Sequence, residues 1–155
     1  MDSARRRKLT EQYRAGVAAV DRALEGISEQ ELDRAPDGEW SPRMVVHHLA
    51  DSETNSYLRL RMLLAEPDPR IQGYDEAEFA RTLRYDRPID RSLAVFRAVR
   101  DSTSELLDLL ADDDWVRVGT HSEFGAYSVE SWLEIYADHA MEHAEQISRA
   151  RTGAA

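Results

Sequence analysis

No cysteine occurs in this chain of 155 residues. That excludes a disulfide framework, thiolate metal sites and a cysteine nucleophile, so any metal must be held by histidine, carboxylate or water. Long hydrophobic runs are missing as well. No stretch approaches the ~20 apolar residues of a membrane-spanning helix, and the charged N-terminus lacks the apolar core of a secretory signal. A cytoplasmic location is the expectation that follows. Positive charge is in deficit: 30 acidic residues outnumber 20 basic ones, for a formal net charge of −10. Such a chain is repelled by phosphate backbones and anionic lipid, which argues against nucleic-acid or membrane partners. The Arg5-Arg6-Arg7-Lys8 run reads as the solvated start of a helix, not as a nucleic-acid arm.

Hydrophobic residues make up 42% and charged residues 32%, a balance that lets a chain of this length bury a real core without staples. One domain is expected over 1–155, with its core at about 10–151. No internal repeat or low-complexity stretch interrupts it. Apolar residues at Tyr13, Val17, Val20, Leu24 and Ile27 recur at threes and fours and predict a first helix from about Thr10 to Glu25. Ser28 with Glu31 has the spacing of a capping box for a short helical turn. Pro36-Asp37-Gly38 reads as a loop. Ser41 is an N-cap candidate and Pro42 fits the first helical position, so a second long helix should run to about Ala65, where Pro67 and Pro69 stop it. A short helix is expected between Tyr74 and Leu83, broken at Arg87-Pro88. A third long helix starts near Asp90. The stretch from Trp115 to Tyr127 reads as a small hairpin or an irregular loop. A fourth long helix begins after Ser128 and ends near Arg151, followed by a frayed Gly153-Ala154-Ala155. Four long amphipathic segments predict an all-α four-helix bundle with short extra helices.

Bundles build sites from inward-facing side chains, so the polar residues on inward faces matter most. There are five histidines: His47, His48, His121, His139 and His143. His139 and His143 are spaced i, i+4 and lie one turn apart on one helical face, which suits two imidazoles sharing a metal ion. They continue the stripe Val129, Trp132, Tyr136 and lead to Gln146. Two histidines at this spacing also occur by chance at a bundle surface. Alanine follows His139, so this is not the HExxH arrangement with its glutamate base. Rotation by ~100° per residue aligns His48 with Ser41, Val45, Ser52, Asn55 and Arg59, and turns His47 towards Trp40 and Leu58. The wheel thus modestly favours His48 as a third inward imidazole. His121, beside Ser122 and Glu123 in the expected loop, reads as exposed, with a supporting or substrate-contacting role as the alternative. Asp51, Glu53, Asp138 and Glu142 are the nearby carboxylates that could shuttle a proton in hydrolysis, and they read first as solvated groups or supports of their neighbours. Asn55 and Arg59 could hold a polar substrate or a thiol-cofactor carboxylate, or take part in an inter-helix network.

Together, Trp40-Ser41-Pro42-Arg43-Met44-Val45-Val46-His47-His48-Leu49-Ala50-Asp51-Ser52, then Asn55-Ser56-Tyr57 and Arg59, the Tyr74-Asp75-Glu76 segment and His139-x-x-x-His143 resemble the DinB-like superfamily, in particular its YfiT/BstA-like branch. The resemblance covers about Thr10 to Arg149. It implies a four-helix bundle with an unusual connection order and one divalent metal ion, zinc or nickel, on three histidines. The ligand in the first motif is the histidine directly before leucine, here His48, and the other two map onto His139 and His143. Members of the branch are provisionally described as metal-dependent hydrolases. Others in the superfamily transfer low-molecular-weight thiols such as bacillithiol or mycothiol. Homodimers are common among them, and Trp40 and Trp115 are candidate interface residues here. The acidic residues in Tyr136-Ala137-Asp138-His139-Ala140-Met141-Glu142-His143 depart from relatives that carry extra histidines or aromatics. Three functions follow as expectations: thiol S-transfer to small electrophiles, hydrolysis, or a non-catalytic metal- or ligand-binding bundle.

Overall fold

The computed structural model describes residues 1–36 and 38–153. Seven helices and three short strands follow in the order α1 (Ser3–Leu24), α2 (Glu29–Leu32), α3 (Pro42–Ala65), β1 (Arg70–Ile71), α4 (Glu76–Thr82), α5 (Asp90–Asp108), α6 (Asp112–Trp115), β2 (Val118–His121), β3 (Gly125–Ser128) and α7 (Val129–Thr152). The caps expected from the sequence set three starts. Ser28 and Glu31 form a full capping box on α2. Ser41 accepts from the Met44 N–H at α3, with Pro42 behind it, and Ser128 accepts from the Ser131 N–H at α7. Gly153 ends α7 with a positive φ of 66°, which an L side chain resists. Asp37, expected in a loop, and Ala154 and Ala155, expected to fray, lie outside the described residues.

The first helix begins earlier than its apolar spacing indicates. Asp2 caps it by accepting from the Arg5 N–H, and the basic run lies inside it. Arg6 is only partly exposed and reaches Glu130 at 2.8 Å. Charge on α7, invisible in the local sequence of α1, extends the helix by a further two turns.

The long helices α1, α3, α5 and α7 form the bundle. α1 packs on α7 and α5, and α3 packs on α5 and α7, so α1 and α3 sit diagonally although they follow one another among the long helices. The stretch after α6 is a hairpin: β2 and β3 pair antiparallel, with Gly119 opposite Tyr127. β1 adds to β2 in parallel, Ile71 opposite His121, making a three-stranded sheet at one end. No helix among the described residues is long and apolar enough to cross a membrane.

The core divides into two apolar layers. One gathers Val20, Val45, Leu49, Phe96 and Ile147. The other gathers Tyr13, Leu60, Leu63, Tyr127, Trp132 and Tyr136. Trp115, considered above for an interface, is 7% exposed and belongs to the second layer, so burial within the chain accounts for it. Between the layers each long helix contributes a small or polar residue: Gly16 on α1, Ser52 and Glu53 on α3, Arg100 and Thr103 on α5, and His139 on α7. Gly16 permits this. A Cβ there would lie 2.7 Å from that of Ala140 and 2.8 Å from Nη2 of Arg100, so the glycine brings α1 against α7 and leaves a slot for the guanidinium.

Candidate metal centre

His48 on α3 meets His139 and His143 on α7. The ring nitrogens these residues can offer lie within 4.8 Å of one another, and the Nε2 atoms of His48 and His139 are 3.4 Å apart. Two nitrogens bound to one tetrahedral ion at ~2.0–2.1 Å would be separated by about 3.3 Å. The donor set fits such an ion in protonation as well. Burial, then the neighbouring imidazoles, push His48 down to about 3. Burial, then His139, lower His143 to about 4. Both rings are therefore neutral ligands at neutral pH, with a lone pair free.

Each ring is held by its surroundings. Trp40 packs edge-on against His48, ring centres 5.0 Å apart. Nδ1 of His143 meets Oε1 of Gln146 at 2.8 Å, which leaves Nε2 for the cluster. Nδ1 of His139 lies 3.6 Å from Oε1 of Glu53, a small rotation from a hydrogen bond. Carboxylates in this position fix the tautomer of a ligating histidine. Glu53 is fully buried and accepts from Arg100 Nη1 at 2.6 Å and from the Tyr13 hydroxyl at 3.2 Å. Burial, the largest single influence, opposes its ionisation, but the Arg100 guanidinium and His139 together hold the carboxyl below its usual range. Arg100 is fully buried too, donates to the Tyr13 carbonyl and lies over the Tyr13 ring at 3.7 Å. All four long helices thus meet at the support of His139.

His47 is also buried, which the helical wheel does not anticipate. Its Nε2–H donates to the Arg87 carbonyl at 2.9 Å, and its Nδ1 meets the Ser92 hydroxyl at 2.7 Å. With both nitrogens engaged, the ring ties α3 to α5 and is turned away from the cluster. The N-terminal half of α3 is covered on several sides, so neighbouring histidines are both inside and face different partners.

The remaining candidates separate. Asp51 accepts from the Tyr85 hydroxyl at 2.6 Å. Asn55 donates to the Asp51 carbonyl within its own helix, and Asp138 accepts from Gln12. Glu142 is exposed on α7. Tyr57 lies under the Arg61 guanidinium. Arg59 is different: it donates to the Tyr136 hydroxyl and the Gln72 carbonyl, each at 3.0 Å, and lines a cavity of about 260 Å³ whose wall includes His139. His121 lines the same cavity. The expectation of an exposed loop residue is corrected here, since His121 is 2% exposed at the inward end of β2. The signal was the period-two pattern of β2, in which Gly119 and His121 face in and Val118 and Thr120 face out. Tyr127 and Arg100 were not singled out from sequence, and Tyr74 entered only as part of a family-like segment, because only the tertiary fold brings them to the site.

The model of the DinB superfamily matches residues 12–147. A protein of Oceanobacillus iheyensis named "Putative metal-dependent hydrolase" is 37% identical over 123 residues, covering 79% of this chain and 72% of its own. One of the same name from Bacillus cereus is 30% identical over 133 residues, 85% of this chain and 77% of its own. The structure of YfiT from Bacillus subtilis, described as a probable metal-dependent hydrolase with an unusual four-helix bundle topology, aligns with a TM-score of 0.90 at 29% identity. It covers 99% of this chain and 90% of YfiT. The four-helix bundle with α1 and α3 on a diagonal, and the match across its length, place this chain as a member of the DinB superfamily.

Proposed function

We propose that His48, His139 and His143 hold one divalent ion, zinc or nickel, and that the chain is an enzyme transferring a low-molecular-weight thiol to small electrophiles. The observation that carries this reading is the convergence of three imidazoles from two helices, two of them held uncharged by burial. A divalent ion on three imidazoles keeps open positions, where its charge deprotonates a thiol outright or brings water to a pKa of ~7.

The chain's own groups favour the thiol. Hydrolysis calls for a group that takes the proton of the attacking water. The carboxylate beside the rings, Glu53, is committed to Arg100 and Tyr13 and is sealed from solvent. It orients the Nδ1 side of His139 and is badly placed to accept a proton from a substrate. A thiol needs no such base, because its proton is lost to solvent on binding. Trp40 and the apolar layer holding Val45 and Leu49 shield the His48 side of the cluster. On the other side the cavity beside His139 admits a small molecule. In transfer, the thiolate sulfur forms a bond to the electrophilic carbon as the halide on that carbon leaves with its electron pair.

Hydrolysis is the second reading, supported by the description shared by the relatives from Oceanobacillus iheyensis and Bacillus cereus. The discriminating experiment gives the metal-loaded protein chlorodinitrobenzene with and without an added thiol, and p-nitrophenyl acetate with water alone. Turnover is expected to require thiol and metal and to disappear in His143→Ala. Ester turnover without thiol would replace it by hydrolysis. Full metal loading with no turnover in either assay would support a binding bundle.

A further inference from the structure

Eight buried side-chain nitrogen or oxygen atoms among the described residues have no hydrogen-bond partner, and three of them, Tyr74 Oη, His121 Nε2 and Tyr127 Oη, belong to residues lining the cavity beside His139. Native interiors rarely leave such groups unpaired, and a cluster of them calls for an explanation. These three share one sign. Nδ1 of His121 accepts from the Glu123 N–H at 3.1 Å, so its proton sits on Nε2 and that atom is a donor. Burial pushes the Tyr74 phenol up to about 12 and the Tyr127 phenol higher, so both keep their protons to donate. Arg59, on the same wall, uses two of its five N–H groups on Tyr136 and Gln72 and has no carboxylate partner among the described residues. Three donors of its planar fork remain.

We propose that this cavity is a carboxylate-binding subsite, in which Arg59 supplies the charge and His121 Nε2–H, Tyr127 Oη–H and Tyr74 Oη–H supply neutral hydrogen bonds. Its ligand is a small monocarboxylate whose other end reaches the three histidines. That other end rests on the metalloenzyme reading; the carboxylate does not. Four donor groups and one full positive charge match a carboxylate. Glu76 and Glu123, both exposed, also line the cavity and oppose any anion; a phosphate dianion fits worse than a carboxylate, because one arginine leaves its second charge unbalanced. The side chains of Tyr127 and His121 are held by the sheet: Tyr127 is 2% exposed and pairs through β3 with Gly119 of β2. Phe124 stacks on His121 with ring centres 4.5 Å apart. The donors are therefore fixed before the ligand arrives. His48 and Arg59 lie eleven residues apart on α3, about 16 Å along the axis at ~1.5 Å per residue. The arginine side chain closes part of that span, so the ligand is an extended molecule.

The test uses two thiols that differ only at the far end, mercaptohexanoate and mercaptohexanol, titrated into the cobalt-loaded protein and followed by thiolate-to-cobalt absorption. Hexanoate, titrated by calorimetry into protein without metal, probes the subsite alone. The acid is expected to bind about tenfold more tightly than the alcohol. That preference should vanish in Arg59→Met and shrink in Tyr127→Phe. Tyr127→Phe removes an unpartnered hydroxyl and should leave the melting temperature unchanged or raised, whereas a structural role predicts a fall. Equal affinity for the two thiols, or an acid preference that survives Arg59→Met, overturns the subsite. If neither thiol perturbs the cobalt spectrum, the thiol reading fails, and hexanoate then decides: binding that Arg59→Met abolishes supports the subsite, and no binding overturns it.

Discussion

The same four helices build two kinds of interior. The outer layers are apolar: Phe96, Leu49 and Ile147 towards one end, Leu60, Trp132 and Leu133 towards the other. The layer between them holds a buried ion pair, Glu53 with Arg100, and the support of His139. Apolar burial stabilises at about 25 cal/mol per Å², whereas a buried ion pair regains at best about what its desolvation costs. The middle layer is therefore poorly explained as a means of stability and well explained as a means of orienting a histidine. His47 and His48 repeat this contrast at one residue's separation. His47 has both nitrogens satisfied by Ser92 and Arg87 and acts as a rivet. Among the described residues His48 Nδ1 has no partner, and its Nε2 faces another imidazole.

Substitutions in the two kinds of layer should separate stability from metal affinity. Arg100→Leu leaves Glu53 charged, buried and unpaired, and should cost about 3–5 kcal/mol in denaturant unfolding. It should also weaken metal binding, about tenfold or more in a chelator competition, by freeing Glu53 from its orienting position. The double variant Arg100→Leu with Glu53→Leu should recover much of the stability but none of the affinity. By contrast, Leu60→Ala in an apolar layer should cost about 2–5 kcal/mol and leave metal affinity unchanged. If Leu60→Ala also weakens the metal, the two layers are not separate in function.

Acid sharpens the same difference. His48 and His143 take up protons near pH 3 and 4 in the folded state, against an ordinary value of 6.5. The unfolded chain therefore binds more protons than the folded one as the pH falls below 6.5, and the metal-free bundle should lose stability progressively from about pH 6.5 down to about 3. Replacing both histidines by leucine should flatten that part of the curve in calorimetric melts. The smallest effect is expected at a helix start: Ser41→Ala removes the cap of α3 and should cost about 1 kcal/mol. It should not alter metal affinity, since His48 lies two turns inside the helix.

What could be read from the sequence was what local chemistry determines. Ser28 with Glu31 and Ser41 with Pro42 mark helix starts whose caps form within four residues. The i, i+4 pair His139 and His143 needs only helical geometry to share a face, and rotation about α3 was enough to favour His48. The parts that escaped depend on distant partners. β1 is two residues, Arg70 and Ile71, made a strand only by pairing with Thr120 and His121, and two residues carry no periodicity. The early start of α1 depends on Glu130, and the burial of His47 depends on the α5 end that supplies Ser92. Arg100 reads as one more surface arginine until Gly16 on another helix opens a slot for it.

The central claim is that three histidines, and not their buried neighbour, form a metal site. Its most direct test is metal content by elemental analysis on the parent chain and on His47→Gln, His48→Ala, His139→Ala and His143→Ala, each reconstituted with zinc or nickel. About one ion per chain in the parent and in His47→Gln, lost from the other three, is the predicted pattern. A parent that takes up no metal, or His48→Ala that still loads fully, would contradict it.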